Sequence, residues 1–198
     1  MKTTIKYTDI VSRSPCYDPA EIGMSKYYKG TIPEFIKEYR SKVKDKQDIF
    51  WVVLSDEYTT KNEFLEFSLF CAERVKHLMQ DERSLNALRV LALYLHYKAT
   101  EDELKTAATA AYAAADAADA AANNSDCAAT AQEAWAAWAA YAAADAADAD
   151  TNAFSCAATA VSCAVSCAAA NAAADAMRHE KDAQIDKLIE IFEKRKTL

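Results

Sequence analysis

Two pairs of aspartates stand three residues apart in a region built mostly from alanine: Asp116 with Asp119, and Asp145 with Asp148. In a helix this spacing places both carboxylates of a pair on one face. Such a face could attract a basic partner, hold a cation or mimic the phosphates of a nucleic acid. It could also be the solvated side of an alanine helix, which needs charges to define its outer face, and this second interpretation is favoured.

Aromatic residues form a second candidate set. Trp135, Trp138 and Tyr141 follow one another at spacings of three, and Tyr112 occupies the position equivalent to Tyr141 in an earlier repeat. Large rings among alanines either fill a groove against the phenylalanine-rich segment at 60–80 or stand exposed as binding anchors. The core interpretation is favoured. The candidate binding residues are these four rings together with the four aspartates named above.

The cysteines and histidines do not form a pattern typical of a metal site. Cys156, Cys163 and Cys167 lie at i, i+7 and i+11, which is one seam of a helix, and the histidines lie in other segments. The sequence has no glycine-rich phosphate loop, no metalloprotease helix and no nucleophile elbow. We therefore expect no metal, no cofactor and no catalytic residue. The loop Pro15–Pro19, which contains Cys16, could carry function, but a plain connection is the favoured interpretation.

Charge is distributed unevenly along the chain. The net charge is −7, and residues 106–177 contain eight acidic side chains and no Lys or Arg. Nucleic acid is not an expected partner of that surface, because phosphate contacts require cations. The N-terminal residues lack the apolar region of a signal peptide, and the six cysteines are expected to be reduced, so a cytoplasmic protein is predicted. The uncharged run Thr151–Ala174 is interpreted as a core helix, not a membrane span.

Helices must position these residues. Both glycines and all three prolines lie within the first 33 residues, so little interrupts a helix after them. At Thr31, Thr60 and Thr100 a hydroxyl stands three residues before a glutamate, which is the pattern of a capping box. We expect helices at about 33–44, 60–80, 82–98, 101–122, 126–149, 152–177 and 180–196.

Three further segments receive local predictions. Thr4–Ile10 could be a short strand, because apolar and polar residues alternate there. Asp48–Ser55 could be a short helix or a buried strand, since its length does not decide between them. Leu85–Tyr97 is rich in leucine and is expected to be buried on most sides.

The decapeptide AYAAADAADA occurs at 111–120 and again at 140–149. Alanine has the highest helix propensity, and its small side chain lets helix axes approach to about 8 Å. Polar breaks separate the repeats, so successive helices should run antiparallel. We predict an all-α multi-helix bundle with alanine-rich antiparallel hairpins at 101–177 and a short N-terminal strand. Residues 1–30 are expected to be an irregular segment, and 31–198 a single helical domain.

Three motifs resemble a known family. They are CAERV at Cys71–Val75, the helix start Asp81–Arg83 and the helix start Thr100–Leu104, followed by alanine runs and a closing Ile191-Phe192. Together they resemble the alanine-rich immunity protein family, the immunity-protein-five-like group of bacteria and phages, over about 60–198. The resemblance implies that the protein neutralises a toxin or, in a phage, a host defence component, by binding and without catalysis.

The leading expectation is a non-enzymatic binding protein that neutralises a protein partner, as an immunity protein or a phage anti-defence inhibitor does. One alternative is a sponge for a small molecule such as a nucleotide signal. In that case Trp135, Trp138 or Tyr112 would line a cleft with Arg or Lys from the N-terminal half. Another alternative is a structural scaffold. No membrane partner is expected, and self-association into a homo-oligomer is left open.

Overall fold

A computed structural model describes residues 1–124, 128–146, 159, 163, 166 and 174–195. Within these residues lie eight α-helices, one 3₁₀ turn and a two-stranded sheet, so the predicted multi-helix fold with a short N-terminal strand is confirmed. The chain divides into two compact units. The first comprises Met1–Thr60 with Ile185–Leu198, and the second comprises Lys61–Gln184.

The first unit begins with a small mixed structure. Its elements are β1 (Thr4–Lys6), α1 (Tyr7–Ser12), β2 (Lys29–Thr31), α2 (Ile32–Tyr39) and α3 (Gln47–Val53). The two strands are antiparallel, with Ile5 opposite Gly30. The strand predicted over Thr4–Ile10 is therefore three residues long instead of seven, because a helix starts at Tyr7. The ambiguous segment Asp48–Ser55 is helical from its start.

A capping box starts α2, as predicted. The Thr31 hydroxyl accepts a hydrogen bond from the Glu34 amide, and the Glu34 carboxylate accepts one from the Thr31 amide at 2.7 Å. Apolar side chains on the inner side of α2 then enter the core of the unit, where Phe35 and Ile36 are fully buried. This helix ends at Tyr39, earlier than the predicted 33–44, and turn bonds to the Tyr39 carbonyl follow it.

The second unit is built from helices. They are α4 (Lys61–Arg74), a 3₁₀ turn (Lys76–Leu78), α5 (Glu82–Leu95), α6 (Glu101–Asn123), α7 (Ala128–Asp145) and the start of α8 (Ala174–Lys194). From Ile185 onward α8 belongs to the first unit. None of the described helices is long and apolar enough to cross a membrane.

Alanine dominates the contact between α6 and α7. The buried residues of α6 are Leu104 and five alanines, and α7 buries alanine on almost every side. α7 packs against α4, α5 and α6, so it is the central helix among those described in this unit. The capping box at Thr100 is confirmed: hydrogen bonds from Thr100 to the Glu103 carboxylate, the backbone N–H first, lower the pKa of Glu103.

Several predicted boundaries are wrong. The helix expected at 60–80 ends at Arg74, and Val75 departs from α-helical geometry with φ −107° and ψ 4° before the 3₁₀ turn begins. The break predicted between 177 and Glu180 is also wrong. α8 is continuous from Ala174, because its sequence there contains only residues that a helix tolerates. The predicted helix 152–177 and the run Thr151–Ala174 lie largely outside the described residues.

The prediction that Leu85–Tyr97 is buried on most sides is also wrong. The buried residues of α5 are Ser84, Ala87, Leu88 and Leu91, whereas Leu93 retains 39% of its surface exposed. The reason is that the buried residues of α5 all lie on one side of the helix. Leu93 lies outside this buried side and remains at the surface. Leucine content alone did not distinguish a buried helix from an amphipathic one.

A salt bridge joins α4 to the start of α8. Arg74 Nε donates to Glu180 Oε2 at 2.6 Å, and Gln184 donates to the other oxygen of the same carboxylate at 3.0 Å. Glu180 is buried, so removal of either donor would leave a buried charge less well paired. Burial and the Glu180 charge together raise the pKa of the neighbouring Cys71 thiol, which is therefore an inert core residue.

α5 ends in an unusual residue. Tyr97 has φ +57°, the left-handed conformation that glycine usually supplies after a helix. The amide of Lys98 donates to the Leu93 carbonyl at 2.8 Å, and that of Tyr97 donates to the Tyr94 carbonyl at 2.9 Å, which is the Schellman pattern. The Tyr97 side chain is 87% exposed, so core packing does not compensate for the strain.

We predict that Tyr97→Gly raises the free energy of unfolding by about 1 kcal/mol, because glycine adopts this conformation without a Cβ clash. Urea denaturation followed by circular dichroism measures the change. Tyr97→Ala is the matched control, since it removes the ring but keeps the Cβ, and it should show no such gain. Equal stability changes in the two variants would contradict a strained backbone.

Candidate functional site

Three of the candidate rings form one cluster on the α6–α7 pair. The ring centroids of Tyr112 and Tyr141 lie 5.2 Å apart, and Trp138 lies 5.7 Å from each of them. The interplanar angles are between 72° and 84°, so every pair is edge-to-face. In this geometry the positive edge of one ring meets the negative face of another, so the contacts among the three rings are favourable.

The cluster lies at the surface and not in the core. Tyr112 is 47% exposed and Trp135, one turn before Trp138 on α7, is 37% exposed. Trp138 and Tyr141 are half-buried. The interpretation that these rings fill a groove in the core is therefore wrong for Tyr112 and Trp135, because the interior beside them is already filled by alanine.

The triangle is too tight to enclose a ligand group. A cation at its centre would lie about 3 Å from each ring centroid, closer than the roughly 3.5–4.0 Å at which non-bonded atoms meet. The cluster therefore offers outward ring surfaces on which a flat or cationic group can stack. The cluster can bind a group on its outer surface and cannot enclose one.

Carboxylates flank the rings. Asp116 follows Tyr112 by one turn on α6, and Asp145 follows Tyr141 by one turn on α7. Side chains in a helix lean towards its N-terminus, so each aspartate leans towards the ring before it. Asp116 and Asp119 are exposed, and Asp145 is half-buried. The fourth candidate, Asp148, lies outside the described residues.

The register of the hairpin relates the height of Trp135 to that of Asp116 along the helix pair. Four residues connect α6 to α7, so the two helices are antiparallel. Tyr112 on α6 contacts both Trp138 and Tyr141 on α7. Because the helices are antiparallel, a residue one turn later on α6 lies beside a residue one turn earlier on α7. This places Asp116 level with Trp135. We call Tyr112, Trp135, Trp138, Tyr141 and Asp116 the aromatic–acidic face.

The sequence that carries the aromatic–acidic face is acidic. It has no Lys or Arg between Thr106 and Met177. Alanine side chains let the two helices pack closely, and the rings of Tyr112 and Trp135 lie outside that contact at the surface. The repeated Tyr-Ala-Ala-Ala-Asp sequence places a ring and a carboxylate one turn apart in both helices.

A cleft of about 450 Å³ lies elsewhere in the second unit, beside α5. Its charged lining consists of Lys76, Arg89, His96 and Lys98 with Glu73 and Glu82. No aromatic–acidic face residue lines it. The sponge hypothesis required the rings and the basic residues to meet in one cleft, and in this cleft they do not.

The α5 cleft was missed by the sequence analysis because α5 was assigned to the core. A signal was present: Glu82, Arg89 and His96 recur at seven-residue intervals, which places polar residues on one face of the helix. Leucines between them concealed this pattern. The composition of a segment was given more weight than the positions of its charges.

The described cysteines show no site of metal or thiol chemistry. No group of three or more potential ligands is present among the described residues. Desolvation raises the pKa of Cys163 to about 11, and Cys156 and Cys167 lie outside the described residues. In the N-terminal loop the Asp48 carboxylate, which accepts a hydrogen bond from the Cys16 amide at 3.2 Å, raises the pKa of the Cys16 thiol. Cys16 is therefore not an activated nucleophile.

No protein-family model, curated protein or solved structure matches the chain. The functional conclusion therefore depends on the residues and their geometry.

We predict a measurable coupling between Tyr112 and Trp138. A double-mutant cycle with Tyr112→Leu and Trp138→Leu should give a coupling energy of about 0.5–1.5 kcal/mol, as expected for edge-to-face rings. The control cycle pairs Tyr112→Leu with Trp135→Leu, whose rings make no contact among the described residues, and should be near zero. Urea denaturation supplies the four stabilities. Coupling of the same size in both cycles would contradict the cluster geometry.

Proposed function

We propose that this chain is a non-catalytic binding protein that neutralises a protein partner through the aromatic–acidic face. The observation that carries the proposal is the exposure of Tyr112 and Trp135 on two closely packed alanine helices, within a region that has no cation. Aromatic rings grouped at a protein surface are typical of interaction sites, whereas single exposed rings are common.

The energetics support recognition of a protein. Trp and Tyr are enriched among the residues that dominate binding energy at interfaces. Tyr112, Trp138 and Tyr141 are held by mutual contact and by their helices, so little of their side-chain freedom is lost when a partner binds. The alanines around them present a smooth surface against which a partner can pack closely.

The partner should present a basic surface. Aspartates beside the rings attract Lys and Arg, and the outward ring faces accept a guanidinium by stacking. The negative potential would accelerate encounter with a basic protein, and the association rate should fall as sodium chloride is raised. This chemistry fits a nucleic-acid-binding toxin or host defence component, whose own basic surface the chain would cover.

Neutralisation, rather than transport of a small molecule, is the function favoured by this geometry. A nucleotide sponge needs cations beside its aromatic rings to bind phosphate, and the aromatic–acidic face provides carboxylates instead. The resemblance of Cys71–Val75 and Thr100–Leu104 to the alanine-rich immunity proteins is a second, independent reason to propose neutralisation by binding.

The proposal predicts which substitutions abolish partner capture. A tagged chain should retain one basic protein in equimolar amount from a lysate of its host, and Trp135→Ala or Tyr112→Ala should weaken that retention at least about tenfold. Both residues are exposed, so the variants should remain folded. Tyr27→Ala is the matched control, because Tyr27 is 96% exposed, lies in the first unit and should not affect retention.

Neutralisation itself requires a second readout. Adding the chain at equimolar amount should inhibit the activity of the retained protein, and the Trp135→Ala variant should not. If a nucleotide is released on denaturation and no protein is retained, the sponge hypothesis replaces this proposal. Retention that is equal for the wild type and both face variants would also refute it.

A further inference from the structure

One stripe of α5 borders the cleft along its whole length. Glu82, Leu85, Arg89, Leu93 and His96 follow one another at intervals of three or four residues and all line the cleft. Residues at this spacing share one helix face, here about 21 Å long. We call these five residues the α5 stripe.

Charge is ordered along the α5 stripe. Glu82 marks its N-terminal end, with Glu73 also at the cleft, whereas His96 and Lys98 mark its C-terminal end. Within the described part of the chain, the side chains of Glu82, His96 and Lys98 make no hydrogen bond or ion pair. Opposite charges thus stand at the two ends of one exposed face and remain available to a partner.

Two leucines flank Arg89 in the middle of the α5 stripe. Leu93 is 39% exposed and Leu85 is half-buried, and each lies four residues from Arg89. The Asn86 side-chain oxygen accepts a hydrogen bond from the Arg89 guanidinium at 2.5 Å. The stripe therefore combines apolar side chains with charged ends, as an interface with a polar rim does.

We propose that the α5 stripe is the contact surface of a symmetric dimer of this chain. A pattern that is acidic at one end and basic at the other is complementary to itself when two copies meet antiparallel about a two-fold axis. With the axis near Arg89, Glu82 of each copy faces the His96–Lys98 end of the other copy, and Leu85 faces Leu93. A second copy therefore satisfies both charged ends at once. The two Arg89 side chains meet at the axis, and their repulsion opposes the two attractive contacts at the ends.

Other occupants fit the charge pattern less well. A polyanion would meet the carboxylates of Glu73 and Glu82, and a basic peptide would meet Lys76, Arg89 and Lys98, all of which line the cleft. The surface is also separate from the aromatic–acidic face, so the dimer does not depend on the proposed function. One exposed helix stripe is smaller than the interface of about 1,200 Å² or more that is typical of stable complexes, so the dimer should be weak and dependent on concentration.

Sedimentation velocity over a range of protein concentrations tests the proposal by charge reversal. The wild type should show a reversible monomer–dimer equilibrium. Glu82→Lys alone and Lys98→Glu alone should each raise the dissociation constant about tenfold or more, because each variant places like charges together twice in the symmetric dimer. An equimolar mixture of the two variants should restore dimerisation, since both contacts between unlike chains then join opposite charges.

Two control variants separate this contact from effects of net charge. Glu21→Lys and Lys44→Glu make the same charge changes at exposed positions of the first unit and should leave the dissociation constant unchanged. Circular dichroism would verify that every variant is folded. A wild type that is monomeric at all concentrations would overturn the proposal. A dimer unaffected by either reversal, or not restored in the mixture, would also overturn it.

Discussion

The close contact between α6 and α7 is the constraint on which the second unit depends. Alanine side chains let the two helices pack closely over many turns, and nearly all the buried residues of α7 are alanine. A larger side chain at Ala111, Ala114 or Ala115 would separate the helices, since close-packed interiors have little space for added atoms. The repeated decapeptide is thus explained first as a packing device.

The same contact determines where the large residues lie. Rings that cannot enter an alanine interface collect at its margin, where Tyr112, Trp138 and Tyr141 brace one another and Trp135 remains exposed. The aspartates lie at the same margin because they cannot be buried without partners. A surface that combines exposed rings with carboxylates therefore follows from a core made of the smallest side chain that favours a helix.

The sequence predicted most of this architecture because its signals were local. The capping boxes at Thr31 and Thr100 act through bonds within four residues, and the alanine runs favour helix wherever they occur. The candidate rings were also found, since a spacing of three places them on one side of a helix. Their exposure could not be predicted, because it depends on which neighbouring helix fills the interior beside them.

The errors arose where tertiary contacts decide the outcome. In the sequence, Leu93 of α5 resembles a core residue. Its exposure follows from the packing of that helix on one side, which the sequence does not specify. The end of α4 at Arg74 and the left-handed Tyr97 have no strong signal in composition, since neither involves glycine or proline. The ordered charges of the α5 stripe were visible in the sequence, but only the exposure of the helix gives them a role.

Site-specific photo-crosslinking in the host tests the central claim most directly. p-Benzoylphenylalanine in place of Tyr112 keeps an aromatic ring at the centre of the aromatic–acidic face, and the same group in place of the exposed Tyr27 provides the comparison. The account predicts a crosslink at position 112 to one basic protein and none at position 27. A crosslink to the same protein at position 27 with none at position 112 would contradict it.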